Sequence, residues 1–322
     1  MEIFKQTKNV VNVFLKKLNV FTKNIYFEDI ANEWLKSKKV ELKESSYYNY
    51  MYKVDKYLMP TFEKFKLKDL KTYDYNNFIE ELTEDYAVKT IRDIVNVLKP
   101  ILKYCEKEYK CSINENKIKL PKLQSKMLKV LNKKEKRKLT NYCIEENSLK
   151  SIGILLCLNT GLRIGEICSL RWENIDLEAK IINVKKTLQR VYIRKDKRTK
   201  IIIGPPKTST SIRSIPISNK LYNILQPLKK KYKSDNFFLT GSSDKFMEPR
   251  TYQNIYKKIL KKSKVKNYKF HILRHTFATD CVQVGMDIKS LSEILGHSDV
   301  NMTLNIYVHS SYKMKKKFLE KL

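Results

Sequence analysis

From Asn114 to Lys129 the chain is polar, rich in lysine and interrupted by Pro121, a pattern that fits an extended connection better than a helix. A connection there divides 322 residues into two cores rather than one. The divisions expected are a basic N-terminal segment 1–24, a first domain 25–113, a linker 114–129 and a second domain 130–322 ending in a tail 309–322. In the first domain Phe27, Ile30, Ala31, Trp34 and Leu35 recur at helical spacing within Tyr26 to Lys38. Ser45 to Leu58, Leu70 to Leu82 and Lys89 to Tyr109 follow as helices, the last with Ile91, Ile94, Val95, Leu98, Ile101, Leu102 and Cys105 on one broad face. This part reads as all-α.

Beyond the linker the period changes twice. Lys133 to Glu145, Leu149 to Asn159 (stopped at Gly161) and Glu166 to Leu170 predict helices. Ile181 to Val184, Leu188 to Ile193, Ile201 to Ile203 and Ser211 to Ile217 alternate or run β-branched, which predicts strands. Tyr252 to Leu260, Leu273 to Val284, Ile288 to Leu295 and Met302 to Val308 return to helix. The fold class is therefore mainly α with a small antiparallel β-sheet, α+β, in two domains.

The formal charge of +32, from 66 Lys+Arg against 34 Asp+Glu, exceeds what solubility requires and points to a polyanionic partner, nucleic acid first. A membrane is the weaker candidate, because the longest apolar run, Ile152 to Leu158, falls far short of the ~20 residues of a spanning helix. Met1 to Asn24 has no signal-peptide core either, since Asn12 and Lys16 break its apolar stretch. The expected setting is cytoplasmic and DNA-associated. Part of the charge follows from a Lys, Asn, Ile and Tyr excess such as an AT-rich genome writes. Against that bias only 10 of the basic residues are Arg and 56 are Lys, so a surviving Arg marks a place where a planar fork is needed. Arg163 and Arg274 are two of the ten. The six cysteines, Cys105, Cys111, Cys143, Cys157, Cys168 and Cys281, show no CxxC spacing and read as reduced core thiols.

All four histidines, His271, His275, His297 and His309, fall in the last 52 residues. On a helix of 100° per residue, Leu273, Phe277, Cys281 and Val284 form an apolar face, with His271, Arg274 and His275 beside it. The i, i+4 spacing of His271 and His275 is that of a zinc helix. The companion glutamate is missing, Ile standing at 272, and no Cys/His cluster completes a coordination shell, so no metal is expected.

With its surroundings this segment resembles the tyrosine recombinase, or phage integrase, family. The parts that carry the resemblance are His271-Ile-Leu-Arg274, Leu295-Gly296-His297-Ser298, Met302-Thr-Leu-Asn-Ile-Tyr307 and, upstream, Thr160-Gly-Leu-Arg163-Ile-Gly-Glu166-Ile. Four boxes in order are far more specific than any one. The resemblance covers about Leu128 to the end and, more loosely, the helical first domain, which is similar to the family's core-binding domain. It implies a C-shaped clamp on double-stranded DNA and catalysis by Arg163, Lys207, His271, Arg274 and His297 around the nucleophile Tyr307, with no cofactor. It further implies a tetramer on paired DNA sites, assembled through the tail that holds Phe318, Leu319 and Leu322, and an accessory DNA-bending or excision factor. One departure is Ile272, where family members commonly carry Asp; this removes a helix-capping contact without touching a catalytic role.

The same residue types make chemical sense unaided. Cleaving a phosphodiester with a protein hydroxyl builds charge on the non-bridging oxygens, which asks for donors aimed at them. Arg163 and Arg274 supply forks, and His271 and His297 one hydrogen bond each. A tyrosine with a reference pKa of about 10 is a poor nucleophile until an electropositive pocket favours its phenolate. Tyr307 is one of twenty tyrosines, singled out by its ten-residue step from His297. Lys207, in Gly204-Pro-Pro-Lys207-Thr between predicted strands, matches the family's general-acid lysine. Glu166, one turn from Arg163, orients local groups or forms a surface ion pair. Lys257, Lys258, Lys261 and Lys262 grip phosphates or face solvent.

The function expected is site-specific recombination through a 3′-phosphotyrosine, used to integrate and excise a bacterial mobile element. The Pro-Pro-Lys207-Thr stretch and the His297 to Tyr307 spacing sit closer to integrases of conjugative transposons, and segment 1–24 leaves no room for an extra arm-binding domain. The alternatives are a chromosome or plasmid resolution recombinase of the Xer type, a type IB topoisomerase of the same chemistry, and a catalytically silent DNA-binding protein. A metal-dependent nuclease would need clustered carboxylates that the sequence lacks.

Overall fold

The computed structural model of the chain describes residues 25–113, 118–123, 129–194, 198–206, 209–307 and 320, and of 209 and 305–307 the backbone only. Segment 1–24, most of the linker and the tail therefore lie outside the described residues. The chain forms two compact units: Met1–Ser125 with Val191–Lys200, and Lys126–Arg190 with Ile201–Leu322. The sequence pattern had assigned Val191–Lys200 to the second.

The first unit is helical. It comprises α1 (Phe27–Glu41), α2 (Glu44–Lys53), a π turn (Val54–Leu58) running into α3 (Met59–Phe62), then α4 (Leu67–Thr72), α5 (Tyr75–Asp85) and α6 (Val88–Tyr109). The five α1 residues at helical spacing and the whole apolar face of α6 are buried, as their periodicity requires. Two details differ from the sequence pattern. The helix starting near Ser45 continues past Leu58, because a widened π turn leads into α3 and Pro60 then occupies a first-turn position, where no amide donor is needed. The apolar run from Leu70 to Leu82 is two helices, since Asp74 leaves the helical region and caps α5 by accepting from the Asn76 amide at 2.9 Å.

The second unit begins with α7 (Lys133–Glu146), α8 (Leu149–Thr160) and α9 (Ile164–Ser169). An Asn132/Glu135 capping box starts α7, and Ser148 caps α8. Helix α8 is buried almost all round and packs against α7 and three later helices, α10 (Asn219–Lys229), α11 (Pro249–Lys262) and α12 (Ile272–Val284). Helix α10 has no counterpart in the sequence reading. Ser218 caps it, and Leu221, Leu225 and Leu228 are buried along one face, but Pro227 inside that pattern hides the period. Between α9 and α10 lie two small sheets rather than one. Strands β1 (Ile175–Asp176), β2 (Ile181–Val184) and β5 (Arg213–Pro216) form one in the order β1-β2-β5, antiparallel throughout; β3 (Thr187–Ile193) and β4 (Arg198–Gly204) form the other. The register sets Arg213 opposite Val184 and Ile182 opposite Ile215. Helices α13 (Ile288–Leu295) and α14 (Val300–Tyr307) complete the unit, with α13 packed on β5. All six cysteines are buried and free. Among the described residues no helix is long and apolar enough to cross a membrane.

Gly161 ends α8 with φ +67°, and a Cβ there would lie 2.7 Å from Phe277 Cδ1 and 2.8 Å from Leu295 Cδ2. The glycine thus lets α12 and α13 close on the turn that leads to Arg163. Gly161→Ala is expected to destabilise the second unit by about 1–3 kcal/mol through backbone strain and overpacking. Calorimetry should show its melting transition lowered while that of the first unit stays; an unchanged transition contradicts the packing.

Candidate active site

Arg163 follows Gly161 and the buried Leu162 and is the N-cap of α9. Three residues on, Glu166 closes a capping arrangement in which its Oε2 accepts the Arg163 amide at 2.9 Å and its Oε1 accepts Arg163 Nη1 at 2.8 Å. The Glu166 side chain is 2% exposed, so its charge needs partners. Arg213, at the start of β5 and itself 5% exposed, donates Nη2 to Oε2 at 2.9 Å and Nη1 to Oε1 at 3.1 Å. Burial pushes the Glu166 pKa up. The hydrogen bonds and charge of Arg213, with Arg163, more than offset that and hold it below the ordinary value.

Arg274, in the first turn of α12, is 1% exposed. Its Nη1 donates to the Gly161 carbonyl at 2.8 Å and its Nη2 to that of Leu295 at 2.7 Å, which ties the end of α8 to the end of α13. Helix α13 stops at Gly296, φ +63°, in a Schellman pattern: the Gly296 amide donates to the Glu293 carbonyl and that of His297 to the Ser292 carbonyl. A Cβ on Gly296 would meet Arg213 Cδ and Nη1 at 3.1 Å. The turn delivers His297, whose Nδ1 lies 2.8 Å from Oγ1 of the buried Thr303 on α14. One turn beyond Thr303, the backbone of α14 ends at Tyr307. The Tyr307 side chain and Lys207 lie outside the described residues.

These groups surround a cavity of about 270 Å³ lined by Arg163, Glu166, Gln189, Ser211, His297 and Met302, with Pro206 and Ser211 bringing the chain on either side of Lys207 to its wall. Arg274 lies beneath the wall rather than on it. His271 lines a neighbouring cavity of about 380 Å³ with Lys257, Tyr268 and Lys269. It packs edge-to-face on His275, ring centroids 4.5 Å apart. As N-cap of α12 it makes no side-chain capping bond, and the adjacent Ile272 is buried. His271 is open to solvent on one side yet crowded by protein, and that crowding, with His275, Arg274 and Arg163 nearby, pushes its pKa down to about 4. Burial and the charges of Arg274, Arg163 and Arg213 push that of His297 down to about 4. Among the described residues no group of three or more His, Cys, Asp or Glu is placed to hold a metal ion.

Chemically, the arrangement presents the Arg163 guanidinium and the neutral His297 imidazole to one pocket, with Arg213 and Arg274 buried behind them, a setting that receives an anion and stabilises negative charge developing on it. Sequence reasoning finds Arg163, Glu166, Arg274 and His297, which meet here. Arg213 and Thr303 it misses. The signal for Arg213 was the rarity of arginine, obscured by its place in a strand pattern.

A family described as the phage integrase family matches residues 125–314, and one described as the phage integrase N-terminal SAM-like domain matches residues 26–83. A protein of Caldanaerobacter subterraneus described as tyrosine recombinase XerC-like is 28% identical over 95% of this chain and 84% of its own length. The transposase from transposon Tn916 of Enterococcus faecalis is 31% identical over 49% of this chain and 42% of its own. In structure, the chain matches the Tn1549 transposon integrase in complex with transposon right end DNA, with a TM-score of 0.73 at 20% identity, over 92% of this chain and 99% of that one.

Both histidines with pKa values near 4 are neutral at physiological pH in the free protein. Imidazole titration by NMR should place their midpoints near 4; values above 6 contradict the geometry. The unfolded chain protonates the same histidines near pH 6.5. Their contribution to stability is therefore complete above pH 6.5 and lost as pH falls toward 4, so denaturant midpoints should drop between pH 7 and 5 and drop less in His297→Gln.

Proposed function

The chain belongs to the phage integrase family, and from that premise we propose that it is a tyrosine-type site-specific recombinase that cuts and rejoins double-stranded DNA to integrate and excise a mobile element. The observation that supports this most is the convergence of Arg163 and His297 on one pocket, with Arg274 beneath it and Met302 of α14, the helix whose backbone ends at Tyr307, in its lining. In the reaction the Tyr307 phenolate oxygen attacks the scissile phosphorus and forms the O–P bond of a 3′-phosphotyrosine while the bond to the 5′ oxygen breaks. Lys207 gives that leaving oxygen its proton. Arg163 and Arg274 take up the charge on the non-bridging oxygens, and His271 and His297 add hydrogen bonds. Glu166 orients Arg163 rather than reacting. The phosphoester bond exchanged for another of the same kind keeps the step reversible, which strand rejoining requires.

A relative described as a transposon transposase and a fold shared with a transposon integrase favour mobile-element integration. The relative described as XerC-like keeps resolution of chromosome or plasmid dimers as the second reading. The charge of +32 supports DNA as the partner, gripped through phosphates by lysines such as Lys257 on α11. The tail 309–322 assembles protomers into a tetramer on paired sites, with an accessory DNA-bending or excision factor, in a cytoplasmic, DNA-associated setting in a bacterium.

With nicked duplex substrate in EDTA, the wild-type protein is expected to form a covalent DNA adduct on a denaturing gel, absent in Tyr307→Phe and lowered about 100-fold or more in Arg163→Ala. Cleavage that needs an added metal ion, or an adduct that persists in Tyr307→Phe, refutes the assignment. Deleting residues 312–322 should leave adduct formation intact and abolish recombination between two sites; unchanged recombination removes the tail from assembly.

A further inference from the structure

The last carbonyls of a helix have no partners within it and carry the negative end of its dipole. At the end of α13 three consecutive carbonyls each accept from a different arginine: Ile294 from Arg213 Nε at 2.5 Å, Leu295 from Arg274 Nη2 at 2.7 Å, and Gly296 from Arg163 Nη2 at 3.0 Å. Arg163 and Arg213 also share the buried Glu166 carboxylate, each reaching both sides of it through the four hydrogen bonds given above. Two of these arginines belong to the reaction already proposed. Arg213 does not, yet its Nε, Nη1 and Nη2 are all engaged, Nη1 also donating to Ser211 O at 3.1 Å.

We propose that Arg213 is a positioning residue for strand cleavage: by taking both oxygens of Glu166 and the carbonyl of Ile294, it leaves Arg163 cationic toward the pocket and fixes the turn that carries His297. This rests on the recombinase reading. The charges explain why a third arginine is needed. Arg163, Arg213 and Arg274 against Glu166 leave the site with two net positive charges, which suits a phosphodiester gaining charge in its transition state. Without Arg213 the buried carboxylate would face Arg163 alone, draw its fork inward and cancel its charge. The carboxylate cannot simply be dispensed with, because it also caps α9. Among the described residues, the charged and titratable groups facing Glu166 are Arg163 ahead of α9, Arg213 on β5, His271 ahead of α12 and the Cys157 thiol of α8.

The test compares full-length wild type, Arg213→Met, Arg213→Lys and the double variant Arg213→Met/Glu166→Gln. Adduct formation on nicked DNA is followed from pH 5 to 8, and the His297 imidazole is titrated by NMR in the free proteins. Arg213→Met should cleave roughly 10- to 100-fold more slowly at neutral pH. It should regain rate as pH falls, because Glu166 without its partner has a raised pKa and releases Arg163 on taking up a proton; the wild type should show no such acid recovery. The double variant, with net charge restored, should regain most of the rate at neutral pH. The His297 midpoint, about 4 in the wild type, should rise in Arg213→Met, where a cation is lost, and fall back in the double variant. Wild-type cleavage by Arg213→Met, or a loss equal at every pH and undiminished in the double variant, overturns the proposal. If Arg213→Met fails to fold, Arg213→Lys decides: it keeps the charge but not the fork, and should lose rate without acid recovery, whereas a wild-type rate overturns the idea. If the wild type itself forms no adduct, the recombinase reading fails alone, and an unmoved His297 midpoint overturns the positioning role separately.

Discussion

One buried carboxylate and one helix end organise the second unit. Glu166 cannot stay charged at 2% exposure without donors, and the last carbonyls of α13 cannot stay unpaired. Both needs are met by the same guanidinium groups, which hold α8, α9, β5, α12 and α13 to a single point. Removing one partner therefore strands others, which is why buried charge networks cost far more to break than their individual bonds suggest. The pocket wall is the outer surface of this network rather than a feature laid on top of it.

Legibility in the sequence followed the physics of each element. Where a helix presents one uninterrupted apolar face, as in α1 and α6, periodicity gave the buried residues correctly. Where a single residue overrides the period it failed: Asp74 leaves the helical region and splits α4 from α5, and Pro227 disguises α10. The strands were legible as β-branched runs, but a run of apolar residues does not specify its neighbour, so the division into two sheets was not. In the site, Arg163, Arg274 and His297 could be named because each stands in a box of local spacing. Arg213 acts through partners 47 and 81 residues away, Glu166 and Ile294, and no local spacing encodes such a contact.

The positive charge of the site differs in kind from that of the surface. Most of the 66 basic residues are lysines, whose ammonium groups are point charges without a preferred face. His297, held neutral, adds a hydrogen-bonding imidazole to the pocket without adding charge in the free protein. What remains is arginine, whose fork can bind a carboxylate or a pair of carbonyls and still face an anion.

The partners at the end of α13 come from far apart along the chain: Arg163 reaches across 133 residues, Arg213 across 81, Arg274 across 21. Closing such long loops is entropically unfavourable until the contacts they enable form together, so structure of this kind arrives late and all at once. A chain emerging from the ribosome lacks the helix end that joins the three arginines until α12 and α13 have been made and docked. For a tyrosine recombinase this is a safeguard built from topology: the unfinished or partly unfolded molecule, for all its positive charge, has no assembled pocket.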